Sequence, residues 1–145
     1  MPYWYIKHNI NIYDYITFIL LGNKRIHFVG LVSDGGVHSH LRHLKSLIEI
    51  TKRRLGSNPE VRAFIHAITD GRDTAPCSAK KYLIDDLGEF LNTECEGFAE
   101  LGSVCGRYYA MDRDKRWERT QLAYDAITLG NCEKVTNIGK VHLNL

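Results

Sequence analysis

From residue 26 the chain repeats one pattern three times: an apolar run, a polar loop containing Gly and Asp, then a stretch of helical period. The first run covers residues 26–32 and ends in Ser33-Asp34-Gly35-Gly36-Val37-His38. Leu41, Leu44, Leu47, Ile48 and Leu55 then recur at helical spacing until Gly56-Ser57-Asn58-Pro59 stops them. The second run, residues 61–68, is rich in branched and aromatic side chains and ends in Asp70-Gly71-Arg72-Asp73-Thr74-Ala75-Pro76. Ser78 is placed to cap the next helix, whose apolar stripe is Ala79, Leu83, Leu87, Phe90 and Leu91 and whose end is Gly97. The third run, residues 98–105, is interrupted by Glu100 and Gly102 and is the least regular strand. It leads through Gly106-Arg107-Tyr108-Tyr109-Ala110-Met111-Asp112-Arg113-Asp114 into a helix carrying Trp117, Tyr124 and Ile127 on one side and closing at Gly130, with Asp114 expected as its cap.

Strands alternating with helices of this length need crossover connections. The pattern therefore predicts a three-layer α/β domain, a largely parallel sheet flanked by helices, with its core over residues 22–130. Residues 1–21 stand apart as an atypical segment, crowding four of the eight tyrosines and five isoleucines into a stretch without a clean period, and residues 131–145 form an unassigned tail.

With 145 residues, 44% hydrophobic and 25% charged, the composition fits one globular domain. Its 19 Lys+Arg against 17 Asp+Glu leave a net charge of +2, so no global field argues for nucleic acid or an anionic membrane as partner, and any anion site must be local. The aromatic-basic run of residues 107–119 does not change this, because Asp112, Asp114 and Glu118 nearly cancel its charge. The longest mostly apolar stretch, residues 15–21, is far shorter than the roughly 20 residues of a spanning helix, so no transmembrane segment is expected. Residues 1–21 also lack the small-residue cleavage site of a secretory leader. Lys7 keeps that reading open as the lesser alternative to a cytoplasmic protein. Cys77, Cys95, Cys105 and Cys132 form no CxxC pair, which favours reduced thiols over disulfides or zinc.

In open parallel sheets ligands bind at the carboxyl edge of the strands, and all three polar loops belong to that edge. They would bring together Asp34 and His38, then Asp70, Arg72 and Asp73, then Arg107 and Arg113. Gly35-Gly36 lets the chain turn tightly and approach a ligand, and His38 follows at the mouth of a helix, whose free N–H groups suit an anion. Arg72, Arg107 and Arg113 supply planar forks for oxyanions, so the expected ligand is small and multiply anionic. A carboxylate facing such a ligand is repelled unless it has a separate role, and Asp73, beside Arg72, is placed to accept a proton from a ligand hydroxyl. Asp34 and Asp70 serve as readily as turn or cap residues as ligands. His40 and His43 share a helix face, but no third residue follows at metal-ligand spacing, and no metal site is expected in this chain. His66 reads as a packed core histidine, Tyr108, Tyr109 and Trp117 as packing or loop-shaping residues, and Cys105 as a strand end rather than a nucleophile.

The strings VSDGGVHSH, DGRDT and GRYYAMDRDKRW, in this order and on this βα pattern, resemble the phosphotransferase, or substrate-binding, domain of cofactor-independent (2,3-bisphosphoglycerate-independent) phosphoglycerate mutases over roughly residues 22–130. The resemblance implies interconversion of 3-phosphoglycerate and 2-phosphoglycerate in glycolysis. By motif, His38, Arg72, Asp73, Arg107 and Arg113 become substrate contacts, and Asp73 the acid/base for the substrate hydroxyls. It also implies a serine nucleophile and two divalent metals, usually manganese, on a second, phosphatase-like domain with no counterpart in this sequence. The domain is then incomplete, and the chain alone is expected not to turn over, since phosphoryl transfer needs both nucleophile and charge stabilisation. A non-catalytic binding module for a small phosphorylated carboxylic acid is the alternative reading.

Overall fold

The computed structural model describes residues 24–134; the atypical segment 1–21 and most of the 131–145 tail lie outside them. Strand β1 (Arg25–Val32) is followed by helix α1 (Leu41–Leu55) and strand β2 (Arg62–Thr69). Helix α2 is wound as a π-helix over Lys81–Gly88 and continues as α-helix over Glu89–Glu94. Strand β3 (Ala99–Gly106), a single turn α3 (Arg107–Ala110) and helix α4 (Trp117–Thr128) complete the order.

The three strands pair in parallel in the order β1-β2-β3, the α/β arrangement expected from the alternation. Sequential order with right-handed crossovers places both connecting helices on one face of the sheet. There α1 and α2 lie side by side, Lys45 pairing with Asp86 and its ammonium standing 5.2 Å above the Phe90 ring. Ile48, Ile65, Leu83 and Leu87 are completely buried between these helices and the sheet, and Cys95 closes the layer. No helix among the described residues is long and apolar enough to cross a membrane.

One of the two interruptions in β3 has a structural reason. Pairing runs Leu101 to Ile65 and then Ser103 to His66, so Gly102 is an extra, bulged residue. A Cβ there would stand 3.3 Å from the His66 ring and from Phe64 Cβ, which is why glycine occupies the bulge.

On the sheet face away from α1 and α2, His66 makes hydrogen bonds of 2.8 Å to both His27 and Ser103, a relay across all three strands, with His27 stacked on Phe64 and His66. The expected core histidine is buried, and its two ring nitrogens are satisfied by these neighbours. Burial lowers the His66 pKa below its ordinary value of 6.5, and His27 lowers it further. Below that value the unfolded chain takes up a proton that folded His66 resists, so stability should be undiminished above it and fall as the pH drops beneath it. Urea unfolding midpoints at about pH 7.5 and about pH 5 check this. The acid midpoint should be lower, and His66→Gln should shrink the difference; equal midpoints would contradict it.

Candidate functional site

All three loops leave the carboxyl edge of the sheet, and their centre is a carboxylate that shape and burial make structural. Asp70, its side chain 2% exposed, receives the Ser33 hydroxyl at 2.8 Å on Oδ2. On Oδ1 it receives the backbone N–H groups of Gly71, Arg72 and Asp73 at 2.9, 3.1 and 3.1 Å. Arg107 Nη1 donates to the same oxygen at 2.8 Å. Burial alone would push the Asp70 pKa up, but Arg107 and the converging N–H and O–H donors outweigh it and hold the carboxyl well below the usual carboxylate range. Of the two readings left open for Asp70, the turn-forming one describes its contacts.

Arg107 Nη1 also donates to Asp73 Oδ2 at 2.7 Å, so one guanidinium nitrogen bridges two carboxylates from one loop. Arg107 Nη2 stands 3.4 Å from His38 Nε2, and His38 Nε2 stands 3.6 Å from Asp73 Oδ2. His38, Asp73 and Arg107, one from each loop, therefore meet as expected. The guanidinium beside Asp73 is, however, that of Arg107. Arg72, its neighbour in sequence, is exposed and has no carboxylate partner among the described residues, because the turn around Asp70 separates the two side chains.

Gly35-Gly36 makes its close approach to Asp73 of the second loop: a Cβ on Gly35 would stand 3.2 Å from Asp73 Cβ and from the Thr74 methyl. Asp34 is drawn elsewhere, accepting from the Tyr82 hydroxyl with Lys81 Nζ at 3.6 Å, contacts that lower its pKa and tie the first loop to α2. His40, two residues past His38, caps α1 by accepting from the Arg42 N–H at 3.1 Å. Ser78 meets the Thr74 hydroxyl at 3.1 Å at the entrance of α2.

Beside this cluster opens a cleft of about 960 Å³ between the second and third loops, lined by Arg72, Arg107, Arg113 and Arg119 together with Tyr108, Cys77 and Cys105. Arg119, on α4, was not signalled by any motif. It is held at 3.4 Å from Asp112, and its guanidinium lies 3.9 Å from the centre of the Tyr108 ring. Asp112, its side chain 3% exposed, accepts from the N–H groups of Asp114 and Arg116 at 3.1 and 2.9 Å. It is Asp112, not Asp114, that organises the start of α4. Arg113 sits inside that loop, exposed and without a carboxylate partner among the described residues. Arg107 is balanced by two carboxylates and Arg119 by Asp112, so the charge free to meet an anion in the cleft is that of Arg72 and Arg113. Burial pushes the Cys105 thiol pKa up, against a nucleophilic role.

Comparison with known proteins matches the family described as the BPG-independent PGAM N-terminus over residues 5–143. A 2,3-bisphosphoglycerate-independent phosphoglycerate mutase of Clostridium botulinum is 46% identical over 129 residues, 89% of this chain and 24% of its own length. That of Clostridium novyi is 51% identical over 115 residues, 79% of this chain and 21% of its own length. A crystal structure of Leishmania mexicana phosphoglycerate mutase at low cobalt concentration superposes with a TM-score of 0.66 at 30% identity, covering 77% of this chain and 20% of that one. The chain thus spans about a quarter of the length of its relatives, 24% in the first case. Loop motifs, fold and sequence identity agree: the chain belongs to the BPG-independent phosphoglycerate mutase family, as a match to its N-terminal part.

Proposed function

We propose that this chain supplies the substrate-binding part of a cytoplasmic, glycolytic enzyme interconverting 3-phosphoglycerate and 2-phosphoglycerate, with His38, Arg72, Asp73, Arg107 and Arg113 as the substrate contacts. The observation that carries this reading is the cleft at the carboxyl edge, where Arg72 and Arg113 stand without carboxylate partners among the described residues, beside an Arg107 fixed by its own. A ligand with a phosphate and a carboxylate has two oxyanions, which matches two free guanidinium forks. His38 and Asp73 adjoin Arg107, which lines the cleft, on the side of the first loop; they do not line the cleft themselves, and their part in the reading is to meet the hydroxyl end of a ligand that the arginines hold.

The family resemblance brings with it two divalent metals, manganese, and a serine nucleophile on a phosphatase-like domain. The described residues do not fit such ions: among them no three His, Cys, Asp or Glu side chains converge as a ligand set, and Asp70 and Asp73 already hold Arg107. What these residues contribute is binding, orientation and proton handling.

Titration calorimetry of the chain with 3-phosphoglycerate tests the reading. Arg113→Ala and Arg72→Ala should each weaken binding by about tenfold to a hundredfold, the effect of one charge-assisted contact. Absence of binding by the unaltered chain, or affinity untouched by both substitutions, would overturn the proposal.

A further inference from the structure

Three loops must be held in register for His38, Asp73 and Arg107 to meet, and the contacts that do so converge on one residue outside the proposed set of substrate contacts. Asp70 collects three successive N–H groups of its own loop, the hydroxyl of Ser33 at the end of β1, and Nη1 of Arg107 at the end of β3. Each of the three strand ends thereby places a donor on one buried carboxylate. We infer that Asp70 is the positioning residue of the anion site, fixing Arg107 in the cleft wall and curling the loop that presents Arg72 and Asp73.

The alternative is that Arg107 is held by Asp73, at 2.7 Å, and that Asp70 merely folds its turn. The two carboxylates differ in how firmly they are held themselves. Asp70 is anchored by four other donors and is 2% exposed; Asp73 has Arg107 as its hydrogen-bonded partner through the side chain, with His38 farther off, and is 16% exposed. An anchor that is itself fixed orients its partner; one that is free to rotate moves with it.

This inference rests on the anion-binding reading for its importance to function, but the ordering of Arg107 can be measured without ligand. In nuclear magnetic resonance spectra of the ligand-free chain, the Arg107 guanidinium N–H signals should be resolved and slow to exchange, as for a group whose rotation is blocked. They should collapse in Asp70→Ala and persist in Asp73→Ala, substitutions that remove the acceptor oxygens altogether. Persistence in Asp70→Ala, or collapse in Asp73→Ala, overturns the inference; the second arm decides alone if Asp70→Ala does not fold.

Binding provides a test of opposite sign for the competing explanations. If Asp70 acted only as a negative charge near the site, its neutralisation would tighten 3-phosphoglycerate binding by relieving repulsion. Loss of a positioning group should instead weaken it by about tenfold, and tighter binding in Asp70→Ala overturns the inference. A chain that shows the ordered Arg107 but binds no 3-phosphoglycerate would refute the proposed function and leave the positioning role standing.

Discussion

Arg107→Ala should abolish measurable 3-phosphoglycerate binding and lower the melting temperature of the chain by about 10 °C. Both effects come from one nitrogen. Arg107 Nη1 bridges Asp70 and Asp73, and its removal leaves two carboxylates, one of them almost fully buried, without their counter-charge. Breaking a buried pair costs up to about 3–5 kcal/mol when the remaining ion has nothing else. Asp70 keeps Ser33 and three N–H groups, so about 3 kcal/mol is the better figure here. The site would also hold an anion less well, since two carboxylates beside the cleft would then lack the guanidinium that neutralises them. Arg107→Lys separates charge from geometry: an ammonium restores the charge but cannot span both carboxylates with a planar fork, so it should recover more stability than affinity. Thermal unfolding and calorimetry read the two effects on the same samples. A melting temperature shifted by less than about 2 °C would show that the bridge contributes little to folding.

Period and punctuation carried the fold. Val61, Ala63, Ile65 and Ala67 of the β2 run and the stripe Leu83, Leu87, Phe90 and Leu91 are buried as their spacing demands, and even the irregular third strand is present, with Gly102 accounted for by a bulge that only its pairing with β2 reveals. Periodicity groups side chains on one face, but does not say what covers that face. The stripe on α4 illustrates this: Trp117 and Tyr124 are 71% and 60% exposed, while Ala123, outside the stripe, is the buried residue of that helix. The π-wound turn of α2 left no signal in the sequence, because its hydrogen-bond shift changes no residue preference strongly enough to read.

The site was legible as a set of residues and less so as a circuit. Three motifs at three strand ends bring His38, Asp73 and Arg107 together because parallel topology forces those ends to one edge. Which arginine meets which aspartate depends on how each loop curls. Arg72 and Asp73 are adjacent in sequence, yet Asp70 wraps their backbone so that Asp73 meets Arg107. Asp70 and Asp112 share a device that sequence alone leaves ambiguous: a buried aspartate takes the N–H groups of the residues just after it and an arginine from farther along the chain. Each loop then presents an arginine without a carboxylate partner among the described residues, Arg72 in one and Arg113 in the other. Acid and base alternate along these loops, and the acids are consumed in building the surface that carries Arg72 and Arg113.

Asp73→Asn should separate binding from chemistry more sharply than any other substitution in the site. The side chain accepts from Arg107 through Oδ2, and asparagine can offer its own carbonyl oxygen to the same donor, so the loop and the Arg107 contact keep their shape. Oδ1 has no hydrogen-bond partner among the described residues; under the proposed function it is the oxygen that would take a proton from a substrate hydroxyl when that hydroxyl accepts the phosphoryl group, and return one to the hydroxyl that releases it. An amide cannot hold that proton. In a full-length phosphoglycerate mutase of the family carrying the same loop motif, interconversion of the two phosphoglycerates should therefore fall by about 10²–10⁴-fold on the matching substitution, the contribution of a positioned acid/base. Calorimetry should find 3-phosphoglycerate affinity changed by no more than about threefold, because the lost negative charge relieves repulsion and the oxyanion grips are untouched. His38, at 3.6 Å from Oδ2, is the residue that would take over if the assignment were mistaken. In that case Asp73→Asn would retain turnover while His38→Asn lost it. Equal losses of binding and turnover in Asp73→Asn would instead make Asp73 a member of the scaffold, with Asp70, and leave the proton transfer to another group.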